Sequence, residues 1–160
     1  MTDTPTSPLR GPIDPAILKS MSGMEIFAAM REGRLPPPPI SELMNFGIVS
    51  FEKGRVVFSG TPGRQHYNPL GGVHGGYAAT LLDSCMGCAV HTMLEAGQGY
   101  TTLEIKINYL RGMTDATGSV RAEGQVLQAG RRAAMAEGRL RDAEGRLLAH
   151  GTTTCLVFAI

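Results

Sequence analysis

Apolar and small side chains run from Tyr77 to Leu94, and Asp83 is the one formally charged residue among them. The run is too long for a strand, and its bounds predict a helix from about Gly75 to Glu95, stopped at Gly97. A helix that is apolar on every side belongs in an interior. Beyond it the pattern changes to alternation. Residues 101–109 place Leu103, Ile105, Ile107 and Tyr109 on one face, and three more strand-like runs (118–127, 131–141 and 146–158) are divided by Gly130 and by Asp142-Ala143-Glu144-Gly145. Such short punctuation suits antiparallel hairpins. Runs 118–127 and 131–141 contain Ala, Glu and Gly, so their assignment rests on punctuation more than propensity. Ahead of the helix, residues 46–51 and 55–59 flank Glu52-Lys53-Gly54 as a hairpin, and residues 61–72 form a loop rich in Gly and Pro. Two strands, one long helix and four antiparallel strands predict an α+β fold whose sheet wraps the helix.

The N-terminal part reads differently. Residues 1–14 are rich in Pro, Thr and Ser and are expected to be poorly ordered. Residues 15–31 carry Ile17, Leu18, Met21, Ile26, Phe27 and Met30 at loosely helical spacing. Gly33 and Pro36-Pro37-Pro38-Pro39 end that helix in a stiff extended linker. The chain thus divides into a helical appendage with a Pro-rich linker, 1–42, and a body, 43–160. A length of 160 residues suits one domain with a real core. The net charge of +1 argues against nucleic acid or an anionic membrane as partner. No charge-free run approaches the roughly 18 residues of a membrane span. Three cysteines without framework spacing favour a reducing, cytoplasmic setting. Arg supplies 12 of the 15 basic residues. GC-rich coding accounts for that bias more readily than phosphate recognition does.

One constellation is more specific. Asn68-Pro69-Leu70-Gly71-Gly72-Val73-His74-Gly75-Gly76, followed by Leu81-Leu82-Asp83, resembles the hotdog-fold acyl-CoA thioesterases of the PaaI type. Their pattern is N-x-x-G, then H-G-G, then an Asp nine residues after the His. Ile107-Asn108-Tyr109-Leu110-Arg111, Gly130-Arg131-Arg132 and a D-x-x-G-x-L-x-A hairpin from Asp142 to Ala149 also fit. The resemblance covers about residues 43–160. It implies an antiparallel sheet wrapped around a long central helix, an acyl-CoA substrate, no cofactor or metal, and a homodimer assembling to a homotetramer. It also implies site residues. Asp83 is general base or nucleophile, the Gly75 N–H forms the oxyanion hole, and Gly76 is a neighbouring donor. Asn68 helps hold the thioester or the water, Thr102 orients the water, and His74 donates to the carbonyl or pins the loop. Arg111, Gly130, Arg131 and Arg132 would meet the phosphates of coenzyme A.

The residues support that chemistry on their own terms. An acid enclosed in an apolar helix is costly unless it is used, and desolvation would raise its pKa. Amides at a helix start point outward at the positive end of the dipole, and glycine lets a carbonyl approach them. Geometry adds a constraint: Gly75 and Asp83 are separated by about 12 Å of helical rise. One carbonyl cannot be held at the first and attacked from the second in the same chain. Two antiparallel helices across a two-fold axis would bring one chain's glycines to the other's acid, so the site is expected to be shared between subunits.

Blander readings compete. Asp83 could be a structural acid, and Gly75-Gly76 could serve close packing alone. Cys85-Met86-Gly87-Cys88 is a C-x-x-C, but it lies in mid-helix without a second pair, which favours small packing residues over a redox or zinc site. Two other functions stay open: a non-catalytic acyl-CoA sensor, whose transcriptional version would need a basic DNA-binding segment that residues 1–42 lack, and a hotdog dehydratase.

Overall fold

The computed structural model describes residues 11–160, so most of the Pro- and Thr-rich start lies outside the described residues. The apolar segment 15–31 forms two helices, α1 (Pro15–Ser20) and α2 (Gly23–Arg31), where one was expected. The break comes from a capping box. Ser22 N–H donates to the Glu25 carboxylate at 2.7 Å, and Glu25 N–H returns to Ser22 Oγ. The expected extended linker is also partly helical. Pro39 opens a short helix, α3 (Pro39–Leu43), because proline at the first helical position has no N–H to lose.

The body follows the predicted order. Strands β1 (Phe46–Glu52) and β2 (Arg55–Gly60) precede the long helix α4 (Gly75–His91). Strands β3 (Gln98–Tyr109), β4 (Val120–Ala129), β5 (Ala133–Arg141) and β6 (Leu147–Ala159) follow it. All six strands form one antiparallel sheet in the order β1-β2-β4-β5-β6-β3, and α4 lies in its concave face. This is the α+β hotdog arrangement. Tyr77, Leu81, Leu82, Cys85, Met86, Ala89 and Val90 turn one stripe of α4 onto Phe58, Val120, Ala136, Leu140 and Leu148. The helix stops at His91, one turn short of Glu95. Thr92 Oγ1 donates to Ala89 O and accepts the N–H of Gly54, which ties the helix end to the β1–β2 turn. Among the described residues no helix is long and apolar enough to cross a membrane.

The helix seats on glycine. Gly124 of β4 pairs with Gly138 of β5, which pairs with Gly151 of β6, a track of buried glycines across three adjacent strands. A Cβ on Gly124 would stand 2.3 Å from the carbonyl of Cys85, backbone against backbone. On Gly138 it would meet only side-chain atoms, the nearest Met86 Cγ at 2.9 Å. Overpacking typically costs about 1–3 kcal/mol. Gly138→Ala should fall in that range because Met86 can move. Gly124→Ala should exceed it, since α4 itself must lift, and thermal or denaturant unfolding of the two variants measures the difference.

Strand β3 carries a correction. A bulge between Thr102 and Glu104 changes its phase, so Leu103 does not share a face with Ile107 and Tyr109. Leu103 is 59% exposed, whereas Tyr100, Thr102, Ile107 and Tyr109 face α4.

Candidate active site

The loop before α4 is built to deliver the helix start. Asn68 N–H donates to Gly72 O at 2.8 Å, and Asn68 Oδ1 accepts from Leu70 N–H at 2.9 Å and more weakly from Gly72. Its Nδ2 has no partner among the described residues. Tyr67 bridges to Val73 as antiparallel backbone, and Val73 N–H donates to Met113 O. One carboxylate anchors this loop from across the chain. Tyr67 O–H donates to Asp115 Oδ1 at 2.6 Å and Arg64 Nε to Oδ2 at 3.1 Å. The Tyr67 hydroxyl, and then Arg64, hold the Asp115 carboxyl below the usual carboxylate range.

A group with a depressed folded pKa stabilises fully above its unfolded value of about 3.9 and loses that contribution as pH falls through the folded value. The loop should therefore loosen only in acid. Amide NMR resonances of residues 64–73 are expected to titrate together below about pH 4, and Asp115→Asn should abolish that titration.

At the helix start, His74 is the N-cap, and its Nδ1 accepts the Gly76 N–H at 2.8 Å. That bond fixes the neutral tautomer of His74 with its proton on Nε2. It also corrects the expectation for Gly76, whose amide is occupied by the cap and is not a free donor. The Gly75 N–H has no acceptor among the described residues. The ring of Tyr109 lies against Gly75, where a Cβ would stand 3.2 Å from Cε1. Val73, Gly75, Tyr109, Arg111 and Met113 border a depression of about 290 Å³, so Gly75 and Arg111 share one hollow.

Asp83 departs from expectation. It is exposed in the single chain, not enclosed, because the sheet covers only the Leu81, Leu82, Cys85 and Met86 side of α4. Thr102 Oγ1 donates to Asp83 Oδ1 at 2.9 Å, joining two residues that lie far apart in sequence. The turn with Gly130, Arg131 and Arg132 is exposed and lies away from Gly75 and Arg111. It adjoins the Leu156–Val157 region of β6, whereas Tyr109 pairs with Ala149 at the other end of that strand. The C-x-x-C pair lies in mid-helix, and burial pushes both thiols up, which makes them poor nucleophiles. The sequence reading missed the contact of Tyr100 with Gly87. A glycine inside a long helix is the available signal for such a close approach.

Comparison with known proteins supplies the family. The thioesterase superfamily profile matches residues 70–149. A protein named as an esterase, SSO2140 of Saccharolobus solfataricus, is 33% identical over 109 residues, 68% of this chain and 75% of that protein. A thioesterase-named, phenylacetic acid degradation-related protein from Ralstonia eutropha superposes with a TM-score of 0.74 at 26% identity, covering 81% of this chain and 98% of that one. The smu.793 protein of Streptococcus mutans, solved bound to acetyl CoA, superposes with a TM-score of 0.66 at 29% identity, covering 72% and 90%. With its helix-start motif, wrapped sheet and these likenesses, the chain belongs to the hotdog-fold thioesterase superfamily and is PaaI-like.

Proposed function

We propose that the protein hydrolyses acyl-CoA thioesters to a carboxylic acid and free coenzyme A. The observation that carries this reading is a carboxylate held by a hydroxyl, Asp83 on Thr102, on the same helix that begins with the unengaged Gly75 amide. Attack on the thioester places negative charge on the carbonyl oxygen. The Gly75 N–H and the α4 dipole would stabilise it, with His74 Nε2–H as a second donor. Asn68, its oxygen already used within the loop, has its Nδ2 left to position the thioester. Asp83 either takes a proton from water, which Thr102 orients, or attacks the carbonyl carbon to form an anhydride that water then opens. In either route the sulfur leaves as thiol. Likeness to a protein that binds acetyl CoA supports the substrate class.

In this reading the site is shared. The 12 Å rise separates Gly75 from Asp83 of its own chain, roughly four times hydrogen-bond reach. Across a two-fold axis, Gly75 and Arg111 of one protomer would meet Asp83, Arg131 and Arg132 of the partner subunit. Strand β3 supports a second copy. It is a long edge strand with Leu103, Ile105 and Tyr109 exposed, a surface that single chains normally protect. We take residues 43–160 as the catalytic unit of a cytoplasmic homotetramer. Thiol release from a panel of acyl-CoAs, read with a chromogenic thiol reagent, tests the function. Hydrolysis releases thiol, whereas a sensor or a dehydratase does not. Binding without release from any member would leave the sensor reading.

A further inference from the structure

Strand β3 serves both ends of the site, which a regular strand could not do. Thr102 Oγ1 donates to Asp83 at 2.9 Å, and the Tyr109 ring lies against Gly75. These two β3 residues are seven positions apart. Side chains alternate along a strand, so an odd separation places them on opposite faces. Their cross-strand partners on β6, Cys155 and Ala149, are six positions apart and both buried in the core under α4. The bulge between Thr102 and Glu104 supplies the extra residue that reconciles the two counts.

The hydrophobic pattern opposes that bulge. Leu103, Ile105, Ile107 and Tyr109 form the unbroken alternation of a straight strand. Continuing the register that pairs Glu104 with Thr154 and Ile105 with Thr153 would set Leu103 opposite Cys155. Leu103, 59% exposed as it stands, would gain burial, and Thr102 would turn to the outer face, away from Asp83. The bulged form needs a tether against this pull.

Thr153 of β6 provides one. It is 1% exposed, and its Oγ1 donates to Glu104 O at 2.7 Å. A buried hydroxyl needs a partner, and this one takes the carbonyl of the first paired residue past the bulge. A ladder carbonyl lies in the sheet, whereas the buried Thr153 side chain stands on its α4 face. The bond therefore draws the Glu104 peptide out of a regular ladder and holds the strand in its bulged form. Because the hydroxyl is spent on Glu104, its effect on Asp83 passes through the backbone of β3.

We infer that Thr153 is a positioning residue of the proposed hydrolysis: by tethering Glu104 it keeps β3 bulged, so that Thr102 stays on Asp83 while Tyr109 stays on Gly75. This rests on the thioesterase reading above. Thr153 lies outside the segment matched by the family profile, so that likeness assigns it nothing.

Thr153→Val keeps the shape and removes the donor. It should lower kcat on the best acyl-CoA about tenfold, with KM within about threefold of wild type, since a small misplacement is felt in the chemical step more than in binding. Thr153→Ser keeps the hydroxyl and should hold kcat within about threefold of wild type. With Thr102→Val already in place, Thr153→Val should cost less than about twofold more, because both act through one contact. A wild-type kcat in Thr153→Val, an equal loss in Thr153→Ser, or losses that multiply in the double variant would each overturn the assignment while leaving the hydrolase reading intact. If Thr153→Val does not fold, Thr153→Ala, which also lacks the hydroxyl, is read in the same way. If wild type releases no thiol, that reading falls and a crystal structure of the folded variant decides this one. Loss of the Thr102–Asp83 bond supports the tether, and an unchanged bulge with that bond intact sinks it.

Discussion

Asp83→Asn should lower kcat on the best acyl-CoA by about 100- to 10,000-fold, the range a positioned base contributes. The fold should be untouched. Asp83 is exposed in the single chain, and an asparagine Oδ1 can still accept from Thr102. Its melting free energy should therefore move by no more than about 0.5 kcal/mol, as for other surface exchanges. That contrast makes the test sharp: near-wild-type turnover in Asp83→Asn would remove the acid from the reaction. Single turnover in heavy-oxygen water then separates the two routes. A nucleophilic Asp83 acquires label in its own carboxylate when water opens the anhydride at the Asp83 carbonyl carbon, whereas a base passes all label to the product.

Gly75→Pro should cost about 100- to 1,000-fold in kcat, the measure of one lost oxyanion donor. The substitution deletes an N–H with little else. Gly75 is the first residue of α4, where proline is favoured, and His74 already has the extended backbone (ψ 138°) that precedes proline. The Tyr109 ring, 3.2 Å from a Cβ there, needs only a small shift. Combined with Asp83→Asn, this variant tests where the site lies. Co-expressed in equal amounts, the two inactive chains form mixed dimers in half of cases, and a shared site leaves one of each mixed pair's two centres intact. Activity should recover to about a quarter of wild type. A site contained within one chain gives no recovery, because every centre then carries a lesion.

Much of the fold was legible because local chemistry and long-range packing agree. The β1–β2 hairpin, the start of α4 at His74-Gly75 and the four later strands are set by turn residues that no tertiary contact overrides. Legibility failed where a distant contact decided the outcome. The end of α4 depends on Thr92 meeting Gly54, and the phase of β3 depends on a bulge that sets Thr102 beside Asp83. The exposure of Asp83 was missed because an apolar composition says that a helix is covered without saying how many sides one chain covers. The Ser22–Glu25 box, which marks the break between α1 and α2, was missed although its spacing alone signals a helix start.

The glycine track has a consequence for synthesis. Its three positions all follow α4 in the chain, in strands that begin at Val120 and later. A nascent polypeptide that has emerged only as far as β3 carries a greasy helix with nowhere to dock, since its bed has not yet been translated. Contacts of such long sequence separation form slowly. Ribosome-stalled chains ending before β4 should therefore recruit chaperones strongly, and that recruitment should subside once β6 has cleared the exit tunnel.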